Sequence, residues 1–297
     1  MTTEATREEI IEQSGVLMGP YRAPRNLALT QRGSIHDDAM ATKLGFRGGT
    51  VAGSIHMEQF PPVLLHAFGP RWFETGSLSC YFRNATLDGE RVRVLMQAPP
   101  AGDANAQVNV WMERDDGLQV LEGTASIGEP SEPSVLRRKL AEPRESGEIR
   151  ILSELRAGQA LDMVPTRVSL GAEKLRLDAL TEPMDWYTGT SPWGGPVAHP
   201  GAVVHVIRAA EQVVRRQIKG VVGLFGAIEI AHLNGPVYVD HDYEVGGKII
   251  AVGETPKSEY YAYEAVLREP GGGKDVALMI MMLRFMKASS SLWTAPR

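Results

Sequence analysis

Cysteine is almost missing from this chain: Cys80 is the only one among 297 residues. An internal disulfide and a thiolate zinc site are thereby excluded, and the chain fits a reducing cytoplasm, where thiols stay unpaired. A basic surplus is missing as well. There are 31 Lys and Arg against 36 Asp and Glu, a net charge of −5, and neither half is strongly basic. Binding nucleic acid through its phosphates needs many cationic side chains, so no nucleic-acid partner is expected.

No apolar run reaches the roughly 20 residues that cross a bilayer. The longest, 220–231 and 276–282, read as buried strands, and no membrane partner is expected. Residues 1–13 are polar and rich in Glu, without the apolar core of a signal peptide. The seven histidines have no spacing that makes a metal site. Gly271-Gly272-Gly273-Lys274 lacks the spacing of a phosphate loop and lies between two strand-like stretches, so it reads as a hairpin, and no cofactor is expected.

What the chain does have is a hydrophobic content of 43%, enough for one large core or two domains at this length, and a repeat. A polar knot, Ser34-Ile35-His36-Asp37-Asp38, precedes Leu44-Gly45-Phe46-Arg47-Gly48-Gly49-Thr50-Val51-Ala52-Gly53-Ser54. A looser copy runs from Thr190 through Trp193-Gly194-Gly195-Pro196-Val197-Ala198 to Gly201. The shared Gly-Gly-x-Val-Ala core recurs 146 residues apart, about half the chain.

The order of predicted elements repeats too. Residues 6–14 read as a short amphipathic helix, 23–30 as extended, 36–44 as roughly helical, and 54–68 as a longer helix that Pro61 and Pro62 must kink or restart. Alternating strands follow at 77–82, 91–97, 107–113 and 118–126, separated by turn residues. Residues 127–148 carry Pro130, Pro133 and Pro143 with few apolar residues and read as linker. In the second half, 161–170 is a candidate strand. A helix over 201–218 has Val203, Val204, Ile207, Ala210, Val213 and Val214 on one face and Arg208, Glu211, Arg215 and Arg216 on the other. Strands follow at 224–232, 242–252, 259–268 and 276–285. The pattern is α+β, a helix followed by an antiparallel sheet, twice. The division expected is an extension over 1–22, units over 23–128 and 160–287, a linker over 129–159 and a tail over 288–297.

These residues resemble the hotdog fold, specifically the MaoC-like (R)-specific enoyl-CoA hydratases. The family's Gly-Asp-x-Asn-Pro-Ile-His is matched in place by Thr30-Gln31-Arg32-Gly33-Ser34-Ile35-His36, with Ala41, Gly45, Phe46 and the glycine-rich turn at the family's spacing. Phe82-Arg83-Asn84-Ala85-Thr86-Leu87-Asp88-Gly89-Glu90-Arg91-Val92 is similar to the family's strand, bend and turn, and Asp185-Trp186-Tyr187 with Leu233-Asn234-Gly235-Pro236-Val237 extends the likeness into the second half. The resemblance implies a double hotdog: two long central helices, each wrapped by an antiparallel β-sheet, acting on an acyl thioester. It also exposes a departure, because the family's catalytic Asp is Gln31 here, and an amide takes no proton.

Hydration of an enoyl thioester needs a base for water, an acid for the α-carbon and donors for the enolate oxygen. His36 is the candidate for proton transfer, an imidazole titrating near neutral pH, and Gln31 the candidate for holding water or substrate. Backbone N–H groups at Gly53 and Ser54, where a helix starts, suit a thioester oxygen. Asp37 and Asp38 read as helix-start carboxylates. His56 and Glu58 lie about 200° apart on a regular helix, so they cannot both face one pocket; related hotdog thioesterases use a carboxylate on this helix. Tyr187, Trp193, His199 and His205 could line a pocket of the second half.

Three functions follow: a hydratase or dehydratase on enoyl-CoA or 3-hydroxyacyl-CoA; a hotdog enzyme turned to thioester hydrolysis or to a lyase or isomerase step on a small non-CoA molecule; and a non-catalytic binder of acyl or hydrophobic ligands. The partner is a small acyl thioester. A double hotdog supplies by itself the pair that single hotdogs make by dimerising, so a monomer or a homodimer is expected.

Overall fold

The computed structural model describes residues 10–142 and 147–294. Among them, eleven strands form one antiparallel sheet: β1 (Ile11–Gln13), β2 (Val16–Met18), β3 (Gly76–Phe82), β4 (Val92–Gln97), β5 (Gln107–Arg114), β6 (Gln119–Ile127), β7 (Ala160–Arg167), β8 (Gly223–His232), β9 (Asp242–Glu254), β10 (Ser258–Arg268) and β11 (Asp275–Met286). The spatial order is β1-β2-β4-β5-β6-β3-β8-β11-β10-β9-β7. Read outward from the β3–β8 seam, it runs β3, β6, β5, β4, β2 on one side and β8, β11, β10, β9, β7 on the other, so these ten strands pair off between the halves, and β1 adds an edge strand to the first half alone. The duplication read from Gly48 and Gly194 is therefore present in the topology. The seam pairs Ser77 with Ala231 and Tyr81 with Ala227, which closes what would be an open edge in each half.

The first half contributes the helices α1 (Asp38–Lys43), α2 (Gly53–Met57), α3 (Pro61–Phe68) and α4 (Trp72–Thr75), and α5 (Val135–Ala141) follows the first sheet. The second half contributes α6 (Leu170–Leu177), α7 (Pro200–Ile207) and α8 (Gln212–Gln217), with α9 (Ser291–Thr294) at the end. Met57, Phe60, Val63 and Leu64 of the first half and Val203, Val204, Ile207 and Val214 of the second join the sheet's inner face in one core. Full burial of each such side chain contributes about 1.5–3 kcal/mol.

Neither central helix is a single long rod. Pro61 and Pro62 occupy the first positions of α3, where a missing N–H costs nothing, so the helix restarts there after α2. In the second half a 3-10 turn, Arg208–Glu211, separates α7 from α8. The tighter turn brings Glu211 inward, 2% exposed, to Arg208 and the Tyr261 hydroxyl, and leaves Val213 50% exposed. The 3.6-residue period had assigned those two residues to the opposite faces.

Other differences have local causes. In the stretch read as an N-terminal helix over 6–14, residues 6–9 lie outside the described residues, and Ile11–Gln13 is a strand. Ser14 and Gly15 both have positive φ, 53° and 75°, the geometry of a two-residue turn that closes a tight hairpin. β2 then pairs with β4 and buries Leu17, so the first sheet begins before residue 23. The stretch read as linker contains α5, capped by Ser134, whose Leu136 is buried on the outer face of the seam against Ala227, Tyr260 and Met282. Farther along, the buried Glu259 carboxylate accepts from the N–H groups of Arg150, Ile151 and Leu152 at 2.9–3.0 Å. The strand read over 161–170 ends at Arg167, and α6 follows.

Candidate functional site

A cleft of about 790 Å³ opens between the halves. The first half supplies the stretch around Gln31 and His36, residues 44–46 and 50–53, His56 and the end of β3. The second half supplies Arg208, Arg215, the start of β8, the 255–258 turn and the end of β11.

The His36 loop is held from several sides. Asn26 Nδ2 donates to the His36 carbonyl at 3.0 Å. Asp37 caps α1 by accepting from Ala39 N–H at 3.2 Å, and Asp38 accepts from Gly49 N–H at 2.7 Å. A Cβ on Gly49 would stand 2.3 Å from the His36 carbonyl oxygen, so only glycine allows this approach. Both aspartates thus support the loop. The half-buried His36 ring has its Nδ1 2.7 Å from the Thr50 carbonyl. A carbonyl only accepts, so Nδ1 carries the proton and Nε2 is left as the basic nitrogen.

Gln31 is exposed and lines the cleft; its carbonyl accepts from Ser34 N–H and Oγ. Gly53 also lines the cleft, with the Phe82 ring so close that a Cβ would meet it at 2.4 Å. Ser54 is 1% exposed. His56 lines the cleft from a buried position. Its Nε2 lies 2.8 Å from the Thr86 hydroxyl and its Nδ1 has no partner. Burial alone pushes this imidazole down to about 4, so it is neutral at physiological pH.

Glu58, Tyr187 and His199 are not brought together with His36. They meet in a buried ionic cluster where α2 packs on α7. Glu58, 4% exposed, receives Arg176 Nη1 at 2.9 Å and lies 3.2 Å from His199 Nδ1. Glu173 Oε2 lies 3.5 Å from His199 Nε2, and Glu173 Oε1 3.4 Å from His205 Nδ1, while Arg176 Nη2 is 2.7 Å from His205 Nε2. The Tyr187 ring meets His199 edge-on at 5.6 Å. Gly201 makes room for this cluster: a Cβ there would stand 1.9 Å from Glu58 Oε1. His56 and Glu58 do serve different places, as their spacing on one helix requires. Thus the start of α7 is filled by the protein's own side chains, whereas the cleft lies beside the start of α2.

Burial opposes charge on His199, but hydrogen bonds to Glu173 and Glu58 outweigh it and raise the imidazole above its ordinary value. Burial likewise opposes charge on Glu173, yet its bonds to His199 and His205 hold it well below the usual carboxylate range. Protonated His199 turns both N–H groups to carboxylates; neutral, its Nδ1 can instead accept from Ala202 N–H at 3.3 Å and cap α7. The depressed Glu173 contributes stability above the ordinary 4.5 and loses it as pH falls. The raised His199 contributes in full below the ordinary 6.5 and loses it as pH rises through its folded value. The contribution of this pair is therefore expected to be greatest between about pH 5 and 6.5, and His199→Gln to flatten the alkaline limb of a scan of Tm against pH. An alkaline limb identical in the variant rejects the assignment.

Sequence reading missed Thr50, which fixes the His36 tautomer, and Glu173 and Arg176, on a helix it had not recognised. It also placed Arg215 on a plain outer face, whereas the residue lines the cleft.

With this geometry described, the chain can be set beside known proteins. No family model and no curated protein matches it. Solved structures do. A protein assigned to the MaoC domain dehydratases, from Chloroflexus aurantiacus J-10-fl, superposes with a TM-score of 0.57 at 12% identity, over 93% of this chain and 96% of that one. A MaoC-like dehydratase gives 0.53 at 14% identity, over 91% and 98%. A conserved hypothetical protein from Mycobacterium tuberculosis with a double hotdog fold gives 0.54 at 12% identity, over 93% and 96%. The chain therefore has the fold of MaoC-like dehydratases and double-hotdog proteins. At these identities the likeness defines fold, and the chemistry must be argued from the site. No helix among the described residues is long and apolar enough to cross a membrane.

Proposed function

We propose that the cleft beside α2 is the working site and that it takes an acyl thioester, enoyl-CoA or 3-hydroxyacyl-CoA, for hydration or dehydration. The observation that carries this reading is His36: a ring lining the cleft, with Nδ1 committed to the Thr50 carbonyl and Nε2 free to accept a proton. In the hydration direction Nε2 takes a proton from water as the water oxygen bonds to the β-carbon. The thioester becomes an enolate, and the imidazolium returns the proton to the α-carbon. Gln31 orients the water through its amide. The Gly53 and Ser54 N–H groups, ahead of the intrahelical ladder of α2, receive the enolate oxygen.

Glu58 is engaged with Arg176 and is absent from the cleft lining, which removes the carboxylate that a hydrolytic reading would use. One observation favours a second reading: among the described residues no carboxylate lines the cleft, as a non-catalytic acyl-binding protein would have it. A hydration assay with crotonyl-CoA and longer enoyl-CoAs, following loss of the enoyl-thioester absorbance, decides between them. Turnover is expected. Binding of the same thioesters without turnover at any chain length would reject catalysis and leave the binding protein.

A further inference from the structure

The cleft is electrostatically one-sided. Arg83, Arg208, Arg215, Lys257 and Arg284 line it with no Asp or Glu among the described residues, in a chain of net charge −5. These cations occupy different places. Alternation along β3 and β11 puts Leu78, Cys80, Leu283 and Phe285 in the core beside the helices, so Arg83 and Arg284 leave the sheet on the other face. Arg83 pairs there with Glu122 at 2.9 Å, and Arg284 donates to the Tyr81 hydroxyl. Lys257 is exposed in its turn. These three form an outer lip suited to the phosphates of a nucleotide carrier.

Arg208 and Arg215 belong to the inner, helix-side wall. Arg208 is neutralised by Glu211, which lies against it. Arg215 is not neutralised. It is half-buried, its guanidinium lies 5.5 Å from the Phe285 ring centroid, and Nη1 donates to the Ile218 carbonyl at 3.3 Å. Its Nε and Nη2 have no hydrogen-bond partner and it forms no ion pair among the described residues, the nearby Glu211 being bonded to Arg208 instead. The wall around it is apolar: Phe225, Leu283 and Phe285. A purely hydrocarbon acyl chain returns nothing for withdrawing this cation from water, whereas a carboxylate meets a guanidinium fork with parallel charge-assisted hydrogen bonds.

We infer that Arg215 is a specificity-determining residue that binds a carboxylate at the far end of the acyl group, so that the ligands are thioesters of dicarboxylic acids. This rests on the reading of the cleft as an acyl-thioester site. Titration calorimetry with succinyl-CoA, butyryl-CoA, free CoA and free succinate tests it on wild type, Arg215→Gln, Arg215→Lys and Arg284→Gln. Wild type is expected to bind succinyl-CoA about tenfold or more tightly than butyryl-CoA. Arg215→Gln removes that preference without weakening butyryl-CoA, Arg215→Lys keeps part of it, and Arg284→Gln weakens all CoA ligands alike. Arg215→Lys retains a cation against Phe285 and serves should the Gln variant fail to fold. Equal affinities of wild type for the two thioesters, or a preference that survives in Arg215→Gln, overturn the inference and leave the thioester reading standing. Arg215-dependent binding of succinate without binding of any CoA ligand overturns the thioester reading and, with it, the inference, and leaves Arg215 only as a site for a free carboxylate. Equal loss of free CoA and succinyl-CoA in Arg215→Gln assigns the residue to the phosphates and overturns the inference.

Discussion

Replacing Glu58 by Ala is expected to lower stability by about 3–5 kcal/mol, the loss seen when one partner of a buried ion pair is removed and the other stays. Glu58 closes α2 in the first half, while its partners Arg176 and His199 come from α6 and α7 of the second. Without the carboxylate, Arg176 keeps Glu173 at 3.5 Å and His199 keeps only the same carboxylate, so two cationic groups share one anion in a buried place. Glu58→Gln is expected to cost less, because its amide oxygen still accepts from Arg176. Gly201→Ala is an independent probe: its methyl group would stand 1.9 Å from Glu58 Oε1 and push the carboxylate off its partners without touching any charge. Urea unfolding of the three variants beside wild type measures these losses. A loss below about 1 kcal/mol in Glu58→Ala, the range of solvated surface pairs, would show that the cluster does not couple the two halves.

That cluster marks the boundary between what sequence reading reaches and what it does not. Strands were legible because their signal is local: β3 and β5 alternate apolar and polar residues, β8 and β11 are apolar runs bounded by turn residues, and each lies within a residue or two of its expected range. The His36 loop was legible because its members, Asn26 to Gly53, are near neighbours whose glycines and aspartates build one another's geometry. The contacts of Glu58 were not, because Arg176 and His199 lie more than a hundred residues away and no period relates them. The hairpin at Ser14-Gly15 was hidden because Ile10 and Ile11, set among Glu and Arg, read as the apolar side of a short amphipathic helix. Glu211 and Val213 exchanged faces because a 3-10 turn changes the angle per residue exactly where a 3.6 period was assumed, and the same turn set Arg208 and Arg215 toward the cleft.

Replacing His36 by Ala is expected to lower kcat/KM for enoyl-thioester hydration by about 10²–10⁴-fold, the contribution of a positioned acid–base group, with little change in Tm. The stability side follows from the contacts. The ring is half-buried and makes one hydrogen bond, to the Thr50 carbonyl, while the loop is held by its backbone: Thr50 N–H on the Ile35 carbonyl at 2.9 Å, Asn26 on the His36 carbonyl and Asp38 on Gly49. None of these needs the imidazole. The activity side follows from the tautomer. With Nδ1–H given to Thr50, only Nε2 can exchange protons with water and the α-carbon, and no carboxylate among the described residues lines the cleft to take over that task. His36→Asn can keep a donor toward Thr50 but has no group that titrates, so it should be as inactive as His36→Ala while binding thioester normally. Its kcat, rather than its KM, should carry the loss. Activity retained within about tenfold in both variants would move proton transfer away from His36, and His56, whose Nδ1 is unpartnered at the same cleft, would be the next residue to replace.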